Sequence, residues 1–147
     1  MAPLSGACQP VSLGLARDMA ADFLRSEQQR QNRPDPLRSN PIPGIEQYSM
    51  GASQPVQSEG GQVLAYVHSL VPEGYIITSS NTGIRPILGF SFSGTFSFDE
   101  AKDNVRFHQL RMEQEVRLAE LAQMTDSQTR GEVLSNTHLW ARFGPPE

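Results

Sequence analysis

The chain has 147 residues, with twelve basic against sixteen acidic side chains and a formal charge of -4 at pH 7. That length suffices for one domain with its own core, without a metal or a disulfide to hold it. No basic stripe is available to neutralise phosphates, so nucleic acid is set aside as a partner. No apolar run approaches the roughly eighteen residues of a membrane span, so membrane is set aside too.

The opening residues, MAPLSGACQP, have neither a basic n-region nor a continuous apolar h-region and do not read as a signal peptide. Residues 1–11 are expected to form a disordered arm. The one cysteine, Cys8, has Ala7, Gln9 and Pro10 as neighbours, none of which would activate a thiolate.

Residues 12–31 predict an amphipathic helix. Ser12 is placed as its N-cap, and Ala16, Met19, Ala20 and Phe23, widened by Leu15 and Leu24, recur at helical spacing. Residues 32–61 contain Pro34, Pro36, Pro41, Pro43 and Pro55 with several glycines, and predict an irregular insert with at most one short extended stretch.

Four short apolar runs follow, at 63–71, 75–78, 87–92 and 94–98. Pro72-Glu73-Gly74 and Asn81-Thr82-Gly83 are turn signals between them. Strands separated by tight turns predict an antiparallel meander. Phe90, Phe92, Phe96 and Phe98 share parity, so one face of the last hairpin is expected to be aromatic and covered by the helices.

A second helix is predicted over about 100–124, with two apolar stripes on nearly opposite sides. One is Phe107, Leu110, Leu118 and Leu121, interrupted by Gln114; the other is Val105, Met112, Val116 and Ala119. A helix on one sheet needs only one stripe, so either the first helix or another protein covers the second. Residues 125–147 are expected to be a polar linker and then a docking segment or tail carrying Leu139, Trp140 and Phe143. The fold class is therefore α+β: a β-meander of about four strands packed against an N-terminal and a C-terminal helix, with the domain spanning 12–124.

Catalytic chemistry is not visible. His68, His108 and His138 have no metal-ligand spacing, no serine sits in a nucleophile elbow, and no glycine-rich loop joins a strand to a helix. Glu113 and Glu120 share a helix edge with Arg106 and Arg117, the pattern of a solvated face. No catalytic, metal or cofactor site is expected.

The stretch EGYIITSSNTGIRPILGFSFSGTF (73–96), followed by KDNVRF (102–107), resembles the propeptide of the streptopain family of papain-like cysteine peptidases and the related Spi-type inhibitors. Gly74, Tyr75, Ile76, Ile77 and Ser79 match one strand of that pattern; Pro86 to Ser91 match the next; Gly94 and Phe96 match the following turn, and Asn104 the helix opening. LARDMAADFL (15–24) is similar to the family's first helix. The chain departs from the pattern at Ser80-Asn81-Thr82, where the family has an acidic turn, and at Phe90, where it has tyrosine.

The resemblance implies an inhibitor or pro-domain, not an enzyme, acting on a cysteine peptidase catalytic domain in cis or in trans, and assisting its folding in cis. It implies a secreted or periplasmic place of action. It also implies an inhibitory edge that occupies the catalytic cleft, with Asp99, Glu100, Lys102, Asp103, Asn104 and Phe107 as contacts. Asn104 alone also reads as a helix N-cap. The competing expectation is a non-catalytic binding or adhesion module on the same scaffold.

Overall fold

The computed structural model describes residues 9–32, 45–98, 104–123, 136, 139 and 140. Helix α1 (Leu13–Asn32) leads through a 3₁₀ turn (Ile45–Gln47) into four strands, β1 (Ser49–Gln57), β2 (Val63–Val71), β3 (Tyr75–Ser79) and β4 (Ile87–Ser91), and helix α2 (Val105–Gln123) follows. The strands form one antiparallel sheet in chain order, β1-β2-β3-β4. The α+β class and the helix-flanked meander stand as expected.

The membership of the sheet differs from expectation by one strand at each end. β1 lies inside the segment read as irregular. Proline cannot donate to a ladder, so β1 with Pro55 is tolerated because it is an edge strand. Its pairing with β2 shifts register between Met50 and Ser53 and again between Val56 and Gln57. Residues 94–98 carry the parity of a strand but form none. The carbonyl of Gly94 instead accepts from the Gly74 N–H at 2.7 Å.

The sheet has helices on both faces. Residues 64–68 of β2 and all of β3 are buried without alternation, as strands covered on both sides must be. On one face Tyr66, Leu70 and Ile76 meet Leu15, Ala16, Met19, Ala20 and Leu24 of α1. On the other, Ala65, Val67, Tyr75 and Ile77 meet Phe107 and Leu110 of α2. Ser12 caps α1, its Oγ accepting from the Leu15 N–H at 3.1 Å. The phenylalanines do not share one face: Phe92 packs with the α1 cluster, and Phe96 and Phe98 with the α2 cluster. The stretch after β4 thus carries the chain around the end of the sheet.

Residues 79–84 gather both ends of the described chain. The Val11 N–H donates to the Ser80 carbonyl, and Gln9 and Thr82 exchange bonds at 2.9 Å. Asn136 Nδ2 and Trp140 Nε1 donate to the carbonyls of Gly83 and Ile84, each at 3.0 Å. Trp140 is 1% exposed among Val11, Leu15 and Tyr66. Gln9 to Val11, read as part of a disordered arm, is therefore paired to the body of the domain. Cys8 lies outside the described residues.

Gly74 closes the β2–β3 turn with φ +100°, and a Cβ there would collide with the Ser91 carbonyl oxygen and Phe92 Cα. Gly61 has φ +91° but open space around it. Both alanine variants meet backbone strain, while only Gly74→Ala adds a clash. Urea unfolding should show Gly74→Ala destabilised by at least about 2 kcal/mol, and by more than Gly61→Ala. Equal losses would mean the clash relaxes at no cost.

Candidate functional site

Residues 92–98, after β4, and the first turn of α2 pack together as one edge. Gly94 at φ +69° turns the chain, and Phe96 and Phe98 then drop onto Phe107 with ring centroids 6.4 and 6.2 Å away. Phe96 also meets Tyr75 edge-on at 5.5 Å. Burying a phenylalanine contributes about 1.5–3 kcal/mol, so this aromatic cluster fixes where the loop sits above the sheet.

Asn104 is the residue immediately before α2. Its carbonyl accepts the first helical bond, from the His108 N–H at 3.3 Å. Its side chain reaches back to the loop, Nδ2 donating to the Ser97 carbonyl at 3.1 Å. The N-cap position and the exposed edge are therefore the same place. Two residues further, Arg106 Nη1 donates to the Tyr75 hydroxyl, and its guanidinium lies 5.8 Å from the Tyr75 ring centroid. These groups line an open cleft of about 520 Å³ formed by Thr95, Ser97, Asn104, Val105, Arg106 and Gln109.

Of the residues expected to make inhibitory contacts, Asn104 lies partly exposed on this cleft. Phe107 is 6% exposed in the core beneath it, anchoring the edge from below. Asp99, Glu100, Lys102 and Asp103 lie outside the described residues. Thr95, Ser97, Val105, Arg106 and Gln109 were not singled out as contacts. Arg106 reads in sequence as part of a solvated charged face, and only the fold places Tyr75 beside it.

The remaining ionisable cluster lies between α1 and the sheet. His68, fully buried, has Nδ1 2.8 Å from Ser53 Oγ and Nε2 2.9 Å from Thr78 Oγ1. Arg17 Nη1 donates at 2.7 Å to both Ser53 Oγ and the Gly51 carbonyl. A neutral imidazole with its hydrogen on Nε2 satisfies every group, because Arg17 occupies an acceptor site of Ser53 and leaves its hydroxyl hydrogen for Nδ1. Burial, and secondly the Arg17 charge, push the His68 pKa down to about 4. A serine–histidine pair is thus present, but its imidazole is fully buried, its serine is half-buried, and the pair braces the fold. His108 sits half-buried beside Phe107, and His138 lies outside the described residues. Among the described residues no group of three His, Cys, Asp or Glu side chains gathers to hold a metal. Nor is any helix among them long and apolar enough to cross a membrane.

Compared with known proteins, residues 8–116 match the family model described as Spi protease inhibitor. The match spans well over half of the 147 residues and includes both helices' first turns, the whole sheet and the Asn104 edge. No curated protein and no solved structure matches.

The His68 network gives a stability signature. Above pH 6.5 the imidazole is neutral folded and unfolded, and its contribution is complete. As the pH falls from 6.5 to about 4 the unfolded chain takes up a proton that the folded chain refuses, so stability is lost across that window. The loss should total roughly 3 kcal/mol and level off below it. Urea unfolding at stepped pH should show His68→Gln lacking this component. Parallel curves for the variant and the parent would place the acid sensitivity elsewhere.

Proposed function

The chain belongs to the Spi protease inhibitor family, and we propose that it inhibits a streptopain-like cysteine peptidase by seating the edge at the start of α2 in the peptidase's catalytic cleft. The observation that carries this reading is the construction of that edge. Asn104 is held at an exposed tip by its bond to the Ser97 carbonyl, over the buried ring of Phe107.

The mode of action needs no bond-making by the inhibitor. A wedge whose shape is fixed beforehand loses little entropy on docking, and it blocks a cleft by occupying it. Three aromatic rings below the edge and two side-chain bonds across it, from Asn104 and Arg106, supply that fixed shape. The described cleft holds no carboxylate, thiol or imidazole among its lining residues, which fits a blocking surface better than a reacting one.

The cysteine class of the target is supported by the resemblance of residues 73–96 and 102–107 to streptopain propeptides. Asn104 then takes the place of the residue that displaces the catalytic histidine. The same resemblance makes Asp99, Glu100, Lys102 and Asp103, which precede it in sequence, contacts as well. The wedge works in trans as a free inhibitor. In cis, a tether raises its effective concentration to the millimolar range, so a modest intrinsic affinity suffices and the folded wedge can template its peptidase. Its place of action is the secreted or periplasmic space of such peptidases.

Mixing the purified chain with streptopain-like cysteine peptidases should abolish turnover at stoichiometric ratio and give a stable complex on gel filtration. Serine and metallo-peptidases should be untouched. Asn104→Ala should raise the inhibition constant by about ten- to a hundredfold with little change in melting temperature. No inhibition and no complex across a panel of cysteine peptidases would refute the target class. Inhibition confined to another protease class would keep the family and reassign the target.

A further inference from the structure

Among the described residues, only one of the two apolar stripes of α2 is packed against the domain. Phe107, Leu110 and Leu121 are buried, whereas Val105, Met112 and Val116 are 66, 67 and 54% exposed. The three lie seven and four residues apart on one side of the helix and span about 17 Å. Helix α1 does not cover them, because it lies on the opposite face of the sheet.

The stripe is bounded by a cleft at each end. Val105 lines the first together with Asn104. Met112 and Val116 line a second, of about 540 Å³, between α2 and the start of β4, where Leu88 and Gln114 also contribute. Gln114 is the polar residue that interrupts the buried stripe. It is 7% exposed, and its Oε1 is buried with no hydrogen-bond partner.

We infer that the outward face of α2 is a second docking surface for the inhibited protease, receiving an apolar ridge against Val105, Met112 and Val116. The inference rests on the inhibitor reading and deepens it. Continuity identifies the occupant: a protease seated at Asn104 already lies against Val105, the first residue of the stripe. Size argues the same way, since a stable interface takes about 800 Å² from each partner, more than a narrow wedge offers. Charge argues against an ionic ligand. Arg85 and Arg117 share the second cleft with Glu113 and Glu120, so the rim favours neither sign. An apolar centre within a mixed polar rim is the anatomy of a protein interface.

The test uses the full chain and a protease that it inhibits. Met112→Asp and Val116→Asp should each raise the inhibition constant by about tenfold or more while leaving the melting temperature within about 2 °C, because both side chains are exposed. Inhibition by the parent should change little with ionic strength. If the parent inhibits nothing, the inhibitor reading itself fails. If the parent inhibits and the aspartate variants inhibit equally well, the second surface is overturned. A parental dimer that these variants dissolve would assign the face to a second copy of this chain, and a large fall in their melting temperature would assign it to this chain's own residues; either result overturns the proposal.

Discussion

The structure turns on a sheet whose two middle strands are buried on both faces. Residues 64–68 of β2 and all of β3 are buried up and down without alternation, so the sheet needs two covers. Helix α1 can supply only one. Its single stripe of Leu15, Ala16, Met19, Ala20 and Leu24 is spent on Tyr66, Leu70 and Ile76. Helix α2 must therefore take the other face, and the loop after β4 must travel around the sheet's end to bring it there. The exposed edge at Asn104 is where that journey finishes, held down by Phe96, Phe98 and Phe107. The same constraint separates α1 from the second stripe of α2, since the sheet stands between them.

A polar chain fixes what the apolar contacts leave loose. Arg17 of α1, Ser53 of β1, His68 of β2 and Thr78 of β3 form one line of hydrogen bonds across a helix and three strands. Only Val56 of β1 is buried, so hydrophobic patterning hardly specifies where that strand pairs. A slip of one residue would turn Ser53 away from His68 and strand a buried imidazole. Arg17 adds a bond to the Gly51 carbonyl, close to the register shift between Met50 and Ser53. Polar satisfaction sets the register here. That role explains a neutral histidine in an otherwise apolar layer without recourse to catalysis.

Contacts with partners remote in sequence account for what the sequence hid. Both helices, the Ser12 cap, the turns at 72–74 and 81–83 and the three inner runs were legible, because periodicity and turn chemistry are local. β1 was not, because proline and glycine argue against a strand and its partners are remote. Residues 94–98 were misread for the opposite reason. Alternating phenylalanines imitate a strand, but Gly94 bends the chain and the rings are drawn to Phe107, a contact with no local signal. At the candidate site, Asn104 was found through resemblance and Phe107 was recognisable by its place in the buried stripe. Arg106 was hidden, since its partner Tyr75 lies 31 positions away. The second stripe was seen, while the choice between its two covers depended on which face of the sheet α1 occupies.

Rigidity at one end of α2 and anchorage at the other are separate achievements. Asn104 stands at the first turn; Leu121, near the last, packs on Ile84, whose carbonyl also receives Trp140. Nineteen residues of helix put about 28 Å between the two ends. The contacts that gather Gln9 to Val11, Asn136 and Trp140 on residues 79–84 thus lie a helix length from the edge. Substitutions there act on stability and leave the geometry at Asn104 to its own aromatic support. An inhibitor acting as proposed above would benefit from this separation, because its edge must keep its shape before any partner arrives. The helix transmits position between the ends, while each end is made firm by its own contacts: hydrogen bonds to loop carbonyls at one, tilted and edge-on phenylalanines at the other.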